Sequence, residues 1–591
     1  MADTPVAALT PDAADKLRQF TLLAGRAQQL MLEHWAKEAQ APSPFAQAYA
    51  QTLMEDWSAA AKGLADDPER VAKLQGEYWA QALGLWNSFL KGEPKSDAAT
   101  AADKDKRFRS DAWKTNPVYD LIRQAYLLTT RAVIEAAKLA PGLDDQARSR
   151  ILFATRQFLD AMSPANIPWL NPDAVDAALR SDGESIISGL QHMLDDLSAG
   201  RVKMVDEDAF EVGVNIAATP GKIVFENRLI QLIQYAPTTN QVHETPLLIL
   251  PPWINKFYIL DLTPEKSFIR WAVDQGLTVF VVSWRNPGSE FRDATIETYV
   301  REGFLAALDA VRAATGHPAS HMIGYCVAGT TLAAMLAWLE ARGEADRVAS
   351  ATFLTAQVDF KDAGELKVFI EDKQLEAIEA IADGAGYLDG RFMYSTFSAL
   401  RANDLVWSYV VNNYLLGKEY MPFDLLYWNS DATNVPARWH MAYLRDLYRD
   451  NKLATPGAIT LEGTPIDLSA VRTPTYVQAG REDHIAPAAS VYRITGHFQG
   501  ELRFVLAGSG HVAGVVNPPT SGKYQHWVLP EGERPPATLE EFSAHATEVK
   551  GSWWPDWGRW IAARSGGKVP ARDPGPGIED APGRYVKEKV G

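Results

Sequence analysis

The chain has 591 residues, 47% hydrophobic and 22% charged, the proportions of a folded globular protein with room for about two to four domains at roughly 100–200 residues each. Its formal charge of −16 repels a phosphate backbone, and the cluster Lys104, Lys106, Arg107 and Arg109 is too interrupted to form a basic patch, so nucleic acid is excluded as a partner. The single cysteine, Cys326, rules out an internal disulfide and a thiolate metal cluster; no apolar stretch approaches the ~18–20 residues a membrane helix needs.

In chain order, residues 1–205 read as a mainly helical domain. Apolar residues recur at helical spacing in LRQFTLLAGRAQQLMLEHWAKEA and in VYDLIRQAYLLTTRAVIEAAKLA. Between them, KGEPKSDAATAADKDK reads as a linker. The N-terminus lacks the basic-then-apolar order of a secretory signal, so the expected compartment is the cytoplasm and no transmembrane segment is expected.

From residue 206 to 591 the pattern changes. TPLLILPPW, LTVFVVSW, HMIGYC, VASATFLTAQVDF, TPTYVQAG and LRFVLAG read as strands, and the helical runs YVREGFLAALDAVRAATG and TTLAAMLAWLEARG fall between them. Continuous apolar strands separated by helices predict an α/β domain with a mostly parallel, doubly wound sheet covered on both faces. Between VDF (358–360) and TPTYVQAG (473–480) lies a long helical and aromatic interruption. It is too long for a plain loop, and its part at about 361–440 reads as an inserted helical cap or lid over the carboxyl edge of the sheet. The Pro/Gly-rich end, GGKVPARDPGPGIEDAPGRYVKEKV, reads as extended.

One segment carries most of the chemistry. In HMIGYCVAGTTLAAML an apolar strand runs through Gly324-Tyr325-Cys326-Val327-Ala328-Gly329 straight into a helix. That is the layout of a nucleophile elbow with cysteine at its tip, and it makes the fold an α/β-hydrolase. Small residues are needed two positions either side of the nucleophile; Gly324 meets this, and Ala328 stands where glycine is usual. The helix N-terminus favours a thiolate. A buried structural cysteine is the competing reading.

A thiolate needs a base, and the base needs an orienting carboxylate, in the chain order nucleophile, acid, histidine. Arg481-Glu482-Asp483-His484 follows one strand and Ser509-Gly510-His511 follows the next. Asp483 and His511 are therefore the expected partners, with Glu482 and His484 as competitors and His484 as a candidate substrate contact. The oxyanion hole needs two backbone N–H groups: Val327 beside the nucleophile, and one from the loop Pro251–Tyr258, whose prolines donate nothing, so the candidates are residues 253–256, with Ile254 favoured. No metal site is expected.

Several motifs in this order resemble one family: PPWINKFYILDL, SWRNP, GYCVAGT, FDLLYWNSDATNVP, AGREDHIAP, SGHVAGVVNPP, GSWWPDW and PGRYVK, with FRSDAWKTNPVYDLIRQAYLL extending the likeness into the helical part. Together they are similar to the class I polyhydroxyalkanoate synthases. The resemblance implies an acyltransferase that polymerises short-chain (R)-3-hydroxyacyl-CoA into polyester, releasing coenzyme A, which is carried by the substrate rather than held as a cofactor. It implies the same Cys326, Asp483 and His511. It puts Trp428 in the dimer or active-site neighbourhood and makes Arg401 a candidate for the CoA phosphates, against the plainer reading of a surface ion pair. It implies a homodimer at the surface of growing polyester granules in the cytoplasm, with residues 1–205 serving dimerisation or granule association. Rival readings are a thiol-dependent hydrolase or thioesterase on the same fold, and a non-catalytic granule-associated protein.

Overall fold

The computed structural model describes residues 15–16, 18–26, 29–30, 43–92 and 105–590. Much of the first expected helix and most of the expected linker lie outside these. The chain forms two compact units: Met1–Val205 with Ser398–Met421, and Asp206–Phe397 with Pro422–Gly591. The stretch expected as one cap is thus divided between them.

The first unit is helical, with no strand among its described residues. Helices Pro44–Ala65, Pro68–Lys91, Pro117–Leu139 and Asp145–Ala161 each begin with proline or an acidic residue, groups suited to a helix start. Arg150 forms a two-pronged ion pair with Asp56 at 2.7 and 2.9 Å, joining the first and last of these. The segment Ser398–Met421 belongs here because Gly189, on helix Glu184–Ala199, admits its backbone: a Cβ there would lie 1.9 Å from the Tyr414 carbonyl oxygen. The Tyr414 hydroxyl donates to Asp196 at 2.6 Å.

The second unit is built on an eleven-stranded sheet. Its strands are β1 (Gly221–Glu226), β2 (Ile230–Tyr235), β3 (Leu247–Leu250), β4 (Val279–Trp284), β5 (Ser320–Tyr325), β6 (Val348–Leu354), β7 (Thr475–Gly480), β8 (Leu502–Ala507), β9 (Gln525–Val528), β10 (Thr547–Lys550) and β11 (Glu579–Asp580). The spatial order is β10-β9-β8-β7-β6-β5-β3-β4-β2-β1-β11. Strands β3 to β8 pair in parallel, and these are the six read from the sequence. β1, β2, β9, β10 and β11 add antiparallel edges. The chain is an α/β-hydrolase fold, with a mixed, mostly parallel sheet and a helical N-terminal region.

Helix Val327–Arg342 is buried along almost its whole length beneath this sheet. The helix read at YVREGFLAALDAVRAATG contains a wide π turn over Tyr299–Leu305. Gly303 sits in it because a Cβ there would lie 2.7 Å from the Trp284 ring. No helix among the described residues is long and apolar enough to cross a membrane.

Candidate active site

Cys326 occupies the turn between β5 and the helix Val327–Arg342, with φ 53° and ψ −124°. A non-glycine residue holds such a conformation only when its surroundings impose it. Here the Cys326 N–H donates to the Leu354 carbonyl at 2.9 Å, and the Cys326 carbonyl accepts from Gly329 and Thr330 at 2.8 and 3.1 Å. The close approach that the turn requires is between Gly324 and Gly329: a Cβ on Gly324 would lie 2.6 Å from the Gly329 Cα, and one on Gly329 would lie 2.9 Å from the Gly324 carbonyl oxygen. The second indispensable small residue is therefore Gly329. Ala328, one position earlier, is fully buried with its methyl accommodated. Val327 is the first residue of the helix, where a backbone N–H has no acceptor within the helix.

Asp483 follows β7. Its carboxylate is fully enclosed; one oxygen accepts the N–H groups of Ile485 and Ala486 at 2.8 and 2.9 Å, and the other faces His511 Nδ1 at 2.7 Å. Glu482 is exposed and His484 half-buried, so of the two candidate pairs the structure brings together Asp483 and His511. The Cys326 thiol lies within electrostatic reach of the same imidazole. Burial works against a charged imidazole, but the Asp483 charge and then Cys326 outweigh it and raise the His511 pKa to about 10. With Nδ1 committed to the carboxylate, Nε2 is left for the sulfur, and the ring is a strong proton acceptor.

The histidine loop is held from beneath. The Tyr325 hydroxyl donates to the His511 carbonyl at 3.0 Å. The indoles of Trp553 and Trp554 donate to the carbonyls of Gly514 and Val515, each at 2.9 Å. This is the structural use of the GSWWPDW motif, to which the sequence assigned no role.

The loop after β3 is fixed as firmly. Trp284 Nε1 donates to the Pro251 carbonyl and Trp428 Nε1 to the Lys256 carbonyl, both at 2.7 Å. Trp253 is buried against Trp284, Tyr299 and Trp439, with ring centroids 4.3–5.3 Å away. Ile254 lies between these anchors. Trp428 is itself buried, so in this chain it braces the loop that carries the candidate oxyanion donor. Arg401 lies in the other unit, paired with Asp404 at 3.2 Å and with a half-exposed side chain.

Two residues near the sulfur escaped the sequence reading. The rings of Tyr443 and the buried Tyr448 meet edge-on with centroids 5.4 Å apart, and both lie within the electrostatic reach of Cys326. Tyr448 also meets Gln357 Nε2 at 3.5 Å. Burial pushes both phenols well up, so they remain neutral O–H groups. Their spacing of five separates side chains on an α-helix; the π turn Tyr443–Arg449 brings them into line. Among the described residues no group of His, Cys, Asp or Glu could hold a metal ion.

Two family models match the chain. Residues 104–272 match the family described as poly-beta-hydroxybutyrate polymerase (PhaC) N-terminus, and residues 246–518 match the alpha/beta hydrolase fold. The chain is 45% identical over 534 residues to the poly(3-hydroxyalkanoate) polymerase subunit PhaC of Rhizobium meliloti, covering 89% of this chain and 87% of that one. It is 46% identical to the poly(3-hydroxyalkanoate) polymerase of Methylorubrum extorquens, covering 89% and 88%. Against the corresponding subunit of Cupriavidus necator it is 44% identical, covering 88% and 89%.

Proposed function

The chain belongs to the poly(3-hydroxyalkanoate) polymerase family, a family of acyltransferases, and on that premise we propose that Cys326, His511 and Asp483 build the polyester through a covalent acyl-cysteine. The observation that carries this reading is the enclosed Asp483 carboxylate bonded to His511 Nδ1 at 2.7 Å, with the lone thiol at the helix N-terminus within electrostatic reach of the same ring.

His511 Nε2 takes the Cys326 proton, and the sulfur attacks the carbonyl carbon of a (R)-3-hydroxyacyl-CoA. The tetrahedral oxyanion is met by the N–H groups of Val327 and Ile254. As it collapses the C–S bond to coenzyme A breaks, and the departing thiolate takes the proton from His511. The 3-hydroxyl of another acyl unit then gives its proton to His511 and attacks the acyl-cysteine, forming an oxoester and freeing the thiol. Exchange of one thioester for another is nearly isoenergetic, which keeps the chain activated for transfer. Water must be kept from the acyl-cysteine, a role for the helices of the 361–440 insertion that lie in the second unit. Tyr443 and Tyr448 supply neutral donors beside the sulfur.

The class I resemblance supports short-chain monomers such as 3-hydroxybutyryl-CoA, a homodimer working at polymer granules in the cytoplasm, and helices 1–205 as the dimerisation or granule-associating part. His484 is retained as a candidate substrate contact. Arg401, already ion-paired, is the weaker candidate for the CoA phosphates.

The test supplies 3-hydroxybutyryl-CoA and longer homologues and follows both CoA release and product. Insoluble polymer with fastest release on the short homologue, and both lost in Cys326→Ala, is the expected result. Free hydroxy acid in place of polymer would establish water as the acceptor and a thioesterase instead.

A further inference from the structure

Lys256 lies two positions after Ile254 and is buried to 3% exposure, an expensive place for an ammonium group. Its Nζ donates to the main-chain carbonyl of Glu588 at 2.6 Å, across more than three hundred residues of sequence. The same terminal stretch touches the loop's other support: Lys589 Nζ pairs with Asp431 at 3.0 Å, and the same Asp431 oxygen accepts the Tyr258 hydroxyl at 2.7 Å. Asn286 Nδ2 holds the Lys589 carbonyl at 3.2 Å. Upstream, buried Tyr585 seats the segment, its hydroxyl on the Asn227 carbonyl at 2.8 Å and its N–H on Gln231 at 3.1 Å. Asp431 also neighbours the Asn255–Ala432 bridge, so the loop and residues 431–432 are already joined.

We propose that residues 585–589 position the oxyanion loop, with Lys256 as the connecting residue: the tail fixes the Lys256 ammonium from one side while Trp428 fixes its carbonyl from the other, and Ile254 N–H is thereby aimed at the reacting carbonyl. The inference rests on the acyl-cysteine reading above. It explains why a costly buried charge is spent on a main-chain carbonyl where a packed apolar side chain would fill the space. Lys256 and the tail touch no substrate; they act through the loop, so their removal lowers turnover more than binding.

The test uses the full chain and measures CoA release. Lys256→Met, and separately truncation after Lys587, are each expected to lower kcat about tenfold with KM within about twofold, since a misaimed oxyanion donor costs transition-state stabilisation first. The double variant is expected to be no worse than the truncation, because removing residues 588–591 already removes the Lys256–Glu588 bond along with the Lys589 contacts. Lys589→Gln, whose side chain is 56% exposed and does not threaten folding, is expected to lower kcat about twofold with an unchanged melting temperature. Full kcat in the truncated protein, multiplying losses in the double variant, or an effect confined to melting temperature overturns the proposal. Cys326→Ala run alongside separates the two readings. If it still releases CoA the acyl-cysteine reading falls; if it is inert while the truncation is fully active, only the tether falls.

Discussion

A methyl group placed on Gly324 would strike the backbone of Gly329, and no side-chain motion relieves a clash between two main chains. Gly324→Ala is therefore expected to cost about 1–3 kcal/mol in denaturant unfolding and to suppress CoA release, as overpacking at a strained turn does. Ala328→Gly distinguishes the two small positions: turnover should stay within about twofold, with a small loss of stability of about 0.5–1 kcal/mol from a helical glycine. A large gain in turnover would show that Ala328, rather than the Gly324–Gly329 contact, limits the turn. Asp483→Asn removes the charge that does most to hold the His511 proton and should cut CoA release by roughly 10²–10⁴-fold, the range of acid–base catalysis, with the fold retained by circular dichroism. The choice of Asp483 over Glu482 was legible because a short carboxylate at a strand end is near the sheet and a long one is free to leave it. Tyr443 and Tyr448 were not legible: their alignment depends on a π turn, and nothing in helical periodicity announces one.

Among the elements, the six parallel strands could be read because burial on both faces leaves unbroken apolar runs such as VFVVSW. The hairpin β1–β2 was missed because GKIVFE and IQLIQY mix polar and apolar residues; Gln231 and Gln234 are buried, which defeats a pattern reading. Those amides are satisfied by Glu226 and by the Arg572 carbonyl, partners no local pattern reveals. The terminal stretch read as extended is so in part, and its role in pairing with β1 depends on contacts distant in sequence. The short helix Trp554–Ala562 shows how an element serves the site without touching it. Trp554→Phe keeps an aromatic side chain but removes one of the two donors to the Val515 carbonyl, which retains the Asn517 N–H at 3.1 Å; the expected loss is about 0.5–1.5 kcal/mol, with slower CoA release from a looser His511 loop. Unchanged kinetics with the expected stability loss would confine that indole to packing.

For the whole molecule, His511 links stability to pH. Its folded pKa lies above the ordinary imidazole value of about 6.5, so folding binds its proton more tightly than the unfolded chain does. The contribution is full below about pH 6.5 and is lost as pH rises towards 10. Denaturant midpoints of the parent and His511→Gln should therefore converge across that window; a gap that widens with pH would mean the ring is neutral in the folded state. At this scale the sheet has one further property. β1 receives its outer neighbour only from β11, with Lys222 and Asp580 separated by 358 positions. At the ~5–20 residues per second of ribosomal synthesis, that flank of the nascent sheet stands open for roughly 20–70 s. An uncovered strand invites pairing with a neighbouring nascent chain, and Lys222 at its start is the kind of charge that discourages such pairing until the native neighbour emerges from the ribosome.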